Sequence, residues 1–401
     1  MKQERKRILD VAPFGVVPPI HGGSLRIFNI CQYLSHCYSI MLFSQGIRSN
    51  EFQFTTKSWT TEVNLNFSEH RHVNIPASLG LELCRRVGIP SSIFVGDVLN
   101  IFKPRVLNCA INEVDCIQVE HPWQFEYVFK RKKERTPIVL VEHNYEYDLL
   151  QQIIVRNKIN RKLLETALEL EQFAVENADL VITVSDIDKN SLCQSFDISK
   201  GKIITVPNGV DSTRNRPISR IENEKYKKKL GLSGKYVILF TGSAYPPNIE
   251  AVKKICTVIA PNCAAEDIIF LIVGKVGEKL RSAKNILFTG SVVSVDDYVK
   301  CADIAINPMI SGSGTNLKML EYFSYGLPVI STERGARGLD LDGNHVIISR
   351  IDDFPENITR LRESPELYLR LQKNVRTLAE ERYDWKVIGS QMAKIYENLL
   401  I

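Results

Sequence analysis

At 401 residues the chain exceeds what one ordinary core holds and predicts two domains of about 200 residues each. A composition of 44% hydrophobic and 24% charged residues is that of a globular protein, and a net charge of +5 is too small at this length to mark a nucleic-acid binder. No apolar run reaches the roughly 18 to 20 residues that cross a bilayer, and nine scattered cysteines without a Cys-x-x-Cys pair argue against a disulfide framework or a zinc site.

The N-terminal Met1-Lys-Gln-Glu-Arg-Lys-Arg7 runs straight into a short apolar strand rather than a signal-peptide core, so cytoplasmic residence is expected. That strand, Arg7 to Ala12, is followed by a Gly- and Pro-rich loop to Gly23 and then by a helix with Leu25, Phe28, Cys31 and Leu34 at helical spacing. Gly22 and Gly23 would let backbone approach a ligand at the mouth of the first strand, and Arg26 on the first helical turn would face the same place. After a strand at Ile40 to Ser44, residues 45–115 carry no clear pattern.

Two strands then end on the same polar pair. Asp115-Cys-Ile-Gln-Val-Glu-His-Pro-Trp123 puts Glu120 and His121 at a strand tip, and Pro137-Ile-Val-Leu-Val-Glu-His-Asn-Tyr145 repeats the pattern with His143 and Asn144. A repeated placement at strand ends is where open parallel sheets carry their sites. A helix at about 161–177, a strand at 178–185 ending in a Ser185 helix cap, and a strand at 203–207 breaking into Asn208-Gly209 complete the first half. From Ser212 to Ser233 the composition turns to Arg, Asn, Lys and Glu, which places the domain boundary there. The basic runs Lys130-Arg-Lys-Lys-Glu-Arg135 and Lys225-Tyr-Lys-Lys-Lys229 read as solvated faces, the first being a candidate contact with anionic membrane.

The second half alternates short apolar strands, beginning at Lys235, Ile268, Asn285, Asp303, Pro328 and His345, with helical segments. That alternation marks a parallel sheet covered on both faces. Neither half has Gly-x-Gly-x-x-Gly after its first strand, and there is no Walker loop, which disfavours a dinucleotide oxidoreductase and a nucleoside-triphosphate hydrolase. The most informative stretch is Asp303 to Ser331, a strand, a Gly/Ser loop, a helix ended by Gly326, and another strand. A glycine loop at a helix N-terminus offers unpaired N–H groups and a positive dipole end to phosphate. Lys318 on the opening turns would add charge, and Glu321 one turn on would accept hydrogen bonds from sugar hydroxyls. The tail from Asp384 carries Trp385, Ile388, Met392, Ile395 and Leu399 on one helical stripe that must dock on a core.

The order of these motifs resembles the family 4 glycosyltransferases of the glycosyltransferase-B fold over nearly the whole chain. The carriers are Gly22-Gly23, Glu120-His121-Pro122, Val206-Pro-Asn-Gly-Val-Asp211, Phe240-Thr-Gly-Ser243, Ile272-Val-Gly274, Thr289-Gly-Ser-Val292 and Gly312 to Ser331. Phe240-Thr-Gly-Ser-Ala-Tyr-Pro-Pro-Asn248 with Gly312-Ser-Gly-Thr-Asn-Leu-Lys-Met-Leu-Glu321 is similar to the bacterial subgroup that builds cell-surface polysaccharides. The resemblance implies an α/β fold of two Rossmann-like domains facing a cleft: 1–211 for the acceptor, 212–383 for the donor, and 384–401 crossing back to the first.

By the same resemblance, a retaining, metal-independent transfer uses a nucleoside-diphosphate sugar, with no further cofactor and a glycan or lipid-linked acceptor. His121, Lys318 and Glu321 would serve the reaction centre and the nucleotide. Gly242, Ser243, Asn248, Gly274, Gly290, Ser291, Val292, Gly312, Ser313, Gly314, Thr315, Asn316 and Leu317 would bind the donor, with Gly22, Gly23 and Arg26 closing on it. Glu120, His143 and Asn144 would line the cleft.

Two departures stand out. Many members carry Arg and Lys where this chain offers Ser243, Ala244 and Asn248, and Ser313 occupies the place of the first of the family's paired glutamates. Two alternatives stay open: a nucleotide-sugar epimerase of the same fold, and a catalytically weak protein that binds nucleotide or glycan in an assembly.

Overall fold

The computed structural model describes residues 5–46, 58–86, 89–154, 158–263, 265–278, 280, 282–312 and 314–400. The chain divides into two compact units, residues 1–207 with 385–401 and residues 208–384.

The first unit is built on eight strands: β1 Arg7–Ala12, β2 Ser39–Gln45, β3 Trp59–Asn64, β4 Phe67–His72, β5 Cys116–Glu120, β6 Ile138–Glu142, β7 Leu180–Thr183 and β8 Ile203–Thr205. Their order is β3-β4-β2-β1-β5-β6-β7-β8, and every pairing is parallel except β3 with β4 at the edge. The inner strands are apolar on both faces because helices cover both, and β5, β6 and β7 are buried at every residue.

Alternation along β1 sorts the two layers. Ile8 and Ala12 join Ile27, Ile30 and Leu34 of the helix Gly22–Leu34, together with Ile388, Met392 and Tyr396 of the C-terminal helix Trp385–Leu399. Leu9 and Val11 face the opposite layer, with Leu107, Ala174, Val175 and Leu192. In the first helix Ile27 and Ile30, rather than Leu25 and Phe28, lead the core stripe, and Leu25 is exposed. Residues 45–115, unreadable by pattern, contribute β3, β4 and the helices Ile75–Arg86, Val95–Phe102 and Arg105–Ile111.

The second unit has β9 Tyr236–Thr241, β10 Ile268–Val273, β11 Ile286–Phe288, β12 Ile304–Asn307, β13 Val329–Ser331 and β14 Ile347–Ile348, all parallel, in the order β11-β10-β9-β12-β13-β14. This is the doubly wound order of dinucleotide-binding sheets. Val237, Leu239 and Ala305 pack on Met319, Leu320, Tyr322 and Phe323 on one face, while Ile238, Phe240, Ile304 and Ile306 pack on Ala251, Ile255 and Ile358 on the other. Each fully buried aliphatic or aromatic side chain in these layers is worth about 1.5–3 kcal/mol.

The composition shift after residue 212 holds a helix, Arg220–Lys229, opened by a Ser219/Glu222 capping box. Its basic run is not simply solvated: Lys227 is buried against Asp303 at 2.7 Å, and Lys229 meets Asp297 at 2.6 Å. Among the described residues no helix is long and apolar enough to cross a membrane.

Candidate active site

In each sheet the strand order reverses beside the first strand of the unit, between β1 and β5 and between β9 and β12. Ligands of open parallel sheets sit outside the C-terminal ends at that point. Most of the predicted site residues that the structure describes lie at strand ends or in the turns and helix starts that follow them.

In the first unit His121 follows β5 directly and has φ 69°, ψ 158°, a conformation a non-glycine residue holds at a cost of about 1–3 kcal/mol. Three contacts enforce it. Its N–H donates to the Val141 carbonyl at 3.0 Å, its Nδ1 lies 2.8 Å from Glu146 Oε1, and its ring stacks on His143 with centroids 4.3 Å apart and planes 13° apart. His143 Nε2 in turn lies 2.5 Å from Glu120 Oε2. Burial, then the neighbouring His121, pulls the His143 pKa down to about 4, so this imidazole is neutral.

Below Glu120 a buried polar chain continues. Gln118 donates to Glu120 at 2.6 Å and to Asp10 at 2.9 Å, and accepts from the Tyr396 hydroxyl of the C-terminal helix. Burial, and then the charge of Glu120, pushes the Asp10 carboxyl well above its ordinary value. Glu120 is therefore a buried support of His143, at 1% exposure, rather than a cleft residue. Asn144 donates to Glu146 at 3.2 Å.

The loop after β1 is held from β4. Buried Glu69 accepts the N–H groups of Val16 at 2.8 Å and Val17 at 3.1 Å and pairs with Arg71 at 3.0 Å, while Arg71 donates to the Val17 carbonyl. A Cβ on Gly15 would lie 2.2 Å from that guanidinium. Phe14 on the same loop meets His21 and His121 edge-on at 4.6 and 5.8 Å.

Gly22 and Gly23 differ from expectation: they form the first turn of the helix, with His21 as its cap, and a Cβ on Gly23 would come within 3.0 Å of the Phe14 ring. Arg26 differs more. It is 1% exposed and donates to the carbonyls of Val206 at 2.8 Å and Pro207 at 2.6 Å, so it ties the end of β8 to the helix instead of facing a ligand.

In the second unit, Lys318 lies on the first turn of the helix Leu317–Ser324, with its Nζ 2.7 Å from Asn248 Oδ1 and 4.1 Å from the Phe240 ring centroid. No carboxylate pairs with it among the described residues, and burial pulls its pKa down to about 7. Asn248 also donates to the Ser243 carbonyl at 3.2 Å, so Ser243, Asn248 and Lys318 form one cluster.

Gly312 and Gly314 take φ of 107° and 68°, which turns the loop ahead of the helix. Asn316 occupies the N-cap position without a side-chain cap bond, and its amide, like that of Asn307, donates to the Gly335 carbonyl. The Thr315 hydroxyl is buried without a partner among the described residues, and Leu317 packs against the core. Ser313 lies outside the described residues.

Glu321 follows one turn after Lys318, and burial, then Asp296, raises its carboxyl to about 7. Gly242, Gly274 and Gly290 are joined through backbone: Gly274 has φ 106°, donates to Gly290 at 3.0 Å, and a Cβ there would lie 2.4 Å from the Gly242 carbonyl oxygen. Ser291 is exposed and Val292 half-buried beside them.

Glu146, Glu69 and Arg71 escaped the reading of the sequence. Glu146 stands one residue beyond the motif that contains His143, and Glu69 and Arg71 share the buried face of β4 with Phe67, a period of two that flags inward charges.

Comparison with known proteins bears on the family and the fold. Residues 73–214 match Glycosyltransferase Family 4, and residues 235–364 match Glycosyl transferases group 1. An uncharacterized glycosyltransferase of Methanocaldococcus jannaschii is 27% identical over 289 residues, 68% of this chain and 70% of that protein. The UDP-Gal:alpha-D-GlcNAc-diphosphoundecaprenol alpha-1,3-galactosyltransferase of Escherichia coli is 27% identical over 228 residues, 52% and 57% of the two chains. The matched segments span between 49% and 70% of the lengths of the curated relatives. Sucrose-phosphate synthase from Thermosynechococcus elongatus shares the fold, with a TM-score of 0.73 over 98% of this chain and 99% of that one at 16% identity. With two Rossmann-like units of the glycosyltransferase-B type and family matches in each, the chain belongs to the family 4 glycosyltransferases.

Proposed function

We propose that the protein transfers a sugar from a nucleoside-diphosphate sugar to an acceptor hydroxyl with retention of configuration, in the synthesis of a cell-surface polysaccharide or glycolipid. The observation that carries this reading is Lys318: a buried ammonium without a carboxylate among the described residues, at a helix start behind two left-handed glycines. Such a charge is costly unless an anion reaches it, and a diphosphate is the anion that also uses the helix N–H groups. The bond from the anomeric carbon to the leaving phosphate breaks, its electrons pass to the phosphate oxygen, the acceptor oxygen bonds to that carbon, and the acceptor proton moves to the phosphate. Charge grows on the diphosphate as this happens, so fixed donors there supply the main assistance, and no metal or further cofactor is invoked.

Glu321 is assigned to the ribose hydroxyls and His121 to the sugar. The printed name of the Escherichia coli relative, with its UDP-sugar and diphosphoundecaprenol, supports a nucleotide donor and a lipid-linked acceptor, and the Lys130 to Arg135 run suits an anionic membrane face.

A panel of nucleotide sugars ranked by the melting-temperature rise each produces should single out one donor, consumed only when acceptor is present. Lys318→Ala should cut turnover about 100-fold or more, with a far smaller loss of affinity for the nucleoside. Near-normal turnover in that variant would remove Lys318 from its role. Donor isomerised without acceptor would indicate the epimerase, and tight nucleotide binding without transfer to any acceptor would indicate an assembly protein.

A further inference from the structure

We propose that Glu146 is the positioning residue of the reaction centre: it holds a proton on His121 Nδ1 and thereby turns the Nε2 lone pair toward a hydroxyl of the bound sugar. The inference rests on the glycosyltransferase reading for its ligand, but its geometry stands without it.

A carboxylate only accepts hydrogen bonds, so Glu146 at 2.8 Å from Nδ1 requires the N–H on that nitrogen. Which ring nitrogen of a histidine carries the proton is set by the bond the other one makes. His121 Nε2 is buried and meets no hydrogen-bond partner among the described residues. An orphaned lone pair is a smaller penalty there than an orphaned N–H, and a ligand hydroxyl relieves it.

Glu146 is itself over-determined. Its backbone N–H and that of Tyr147 donate to the two oxygens of buried Glu171 at 2.7 and 2.9 Å, which fixes the helix start Glu146–Ile153, and Asn144 occupies a second position on Oε1 at 3.2 Å. From below, neutral His143 stacks on His121 and is pinned by Glu120, so the ring can neither tilt nor rotate away from Glu146. Phe14 closes the remaining edge at 5.8 Å. Burial pushes the Glu146 carboxyl up, but its hydrogen-bonded contact with His121 and the bond from Asn144 outweigh it and leave Glu146 below its ordinary value, consistent with a carboxylate on that face. The left-handed backbone of His121 is one more constraint spent on this single ring orientation.

The test is a readout of the tautomer. In the full chain labelled with ¹⁵N-histidine, with His121 assigned by comparison with His121→Gln and spectra recorded on the alkaline plateau of its titration, Nδ1 should resonate as a protonated pyrrole-type nitrogen and Nε2 as a bare pyridine-type nitrogen. A proton on Nε2 in the unmodified chain overturns the proposal outright, whatever becomes of any variant. Glu146→Gln should then bring the Nε2–H form into the population and lower kcat about 10- to 100-fold with a smaller change in KM, while Glu146→Asp should restore the Nδ1–H form and part of the rate. A residue that merely braces the fold would lower the melting temperature of Glu146→Gln without moving the tautomer, and that result also overturns the proposal. If the tautomer behaves as described but no donor is turned over, the glycosyltransferase reading fails and the positioning role of Glu146 stands.

Discussion

Lys318 and Glu321 each sit in a place that strains their charge, with pKa values brought to about 7 from opposite directions by burial. The folded-state value of Lys318 lies below its unfolded value. Its ammonium therefore costs stability in full below pH 7, and that cost falls as the pH rises from 7 toward 10.5. Lys318→Met, which keeps the volume and removes the charge, should raise the melting temperature by a few degrees at pH 6, with the gap closing toward pH 10. A gap that stays constant across this range in differential scanning calorimetry would show that the ammonium is not the strained group. On the proposed function the same variant should also lose transfer. That Lys318 opens a helix directly behind a glycine loop was legible in the sequence. That it has Asn248 and a Phe240 ring as neighbours, and no acid, was not, because those residues lie about 70 positions away in the chain.

At the scale of elements, the site residues are held by strand ends and by the turns that leave them. Gly274 leaves β10 in the left-handed region, and any side chain there would strike the carbonyl of Gly242, which leaves β9. Gly274→Ala should destabilise the second unit by about 1–3 kcal/mol and weaken nucleotide binding. Denaturant titration together with calorimetry against the nucleotide would check it, and unchanged binding would separate these turns from the proposed donor site.

In the first unit, Glu69 and Arg71 hold the loop after β1 through its own backbone groups. Glu69→Gln leaves one amide group facing two backbone donors and a guanidinium. It should free residues 14–18 and raise KM without unfolding the sheet, as measured by steady-state kinetics and hydrogen exchange of the Val16 and Val17 amides. The elements themselves were largely legible, since apolar runs bounded by glycine and polar tips gave most of the strands. The exceptions lie between residues 45 and 115, where β3 alternates half-buried with exposed residues and β4 buries a glutamate and an arginine.

At the scale of the whole molecule, the chain returns to its beginning. The helix Trp385–Leu399 belongs to the first unit, where it lies on the helix Gly22–Leu34 with Tyr33 and Ser390 bonded at 2.7 Å. Its contact depends on Gly389, because a Cβ there would lie 2.2 Å from the Tyr33 ring. Gly389→Val should cost the first unit about 1–3 kcal/mol. In hydrogen exchange the amides of 22–34 and 385–399 should lose protection while those of 317–324 keep theirs, and equal loss everywhere would count against separate cores.

What the amino-acid order determined by itself is what depends on near neighbours. Strand and helix periods, glycine turns, the Ser185 cap, and the pairing of a Gly/Ser loop with Lys318 and Glu321 are all local, and each follows from spacing within about ten residues. Tertiary structure alone decided which polar side chains face inward. Arg26 and Glu120 sit beside the expected site in sequence, yet each is consumed by partners across the sheet, Arg26 by the end of β8 and Glu120 by His143. Glu146 and Glu69, by contrast, acquire their roles only once distant strands meet. The physical reason is that a buried polar group must find its partner wherever the fold brings one, and sequence distance carries no record of that.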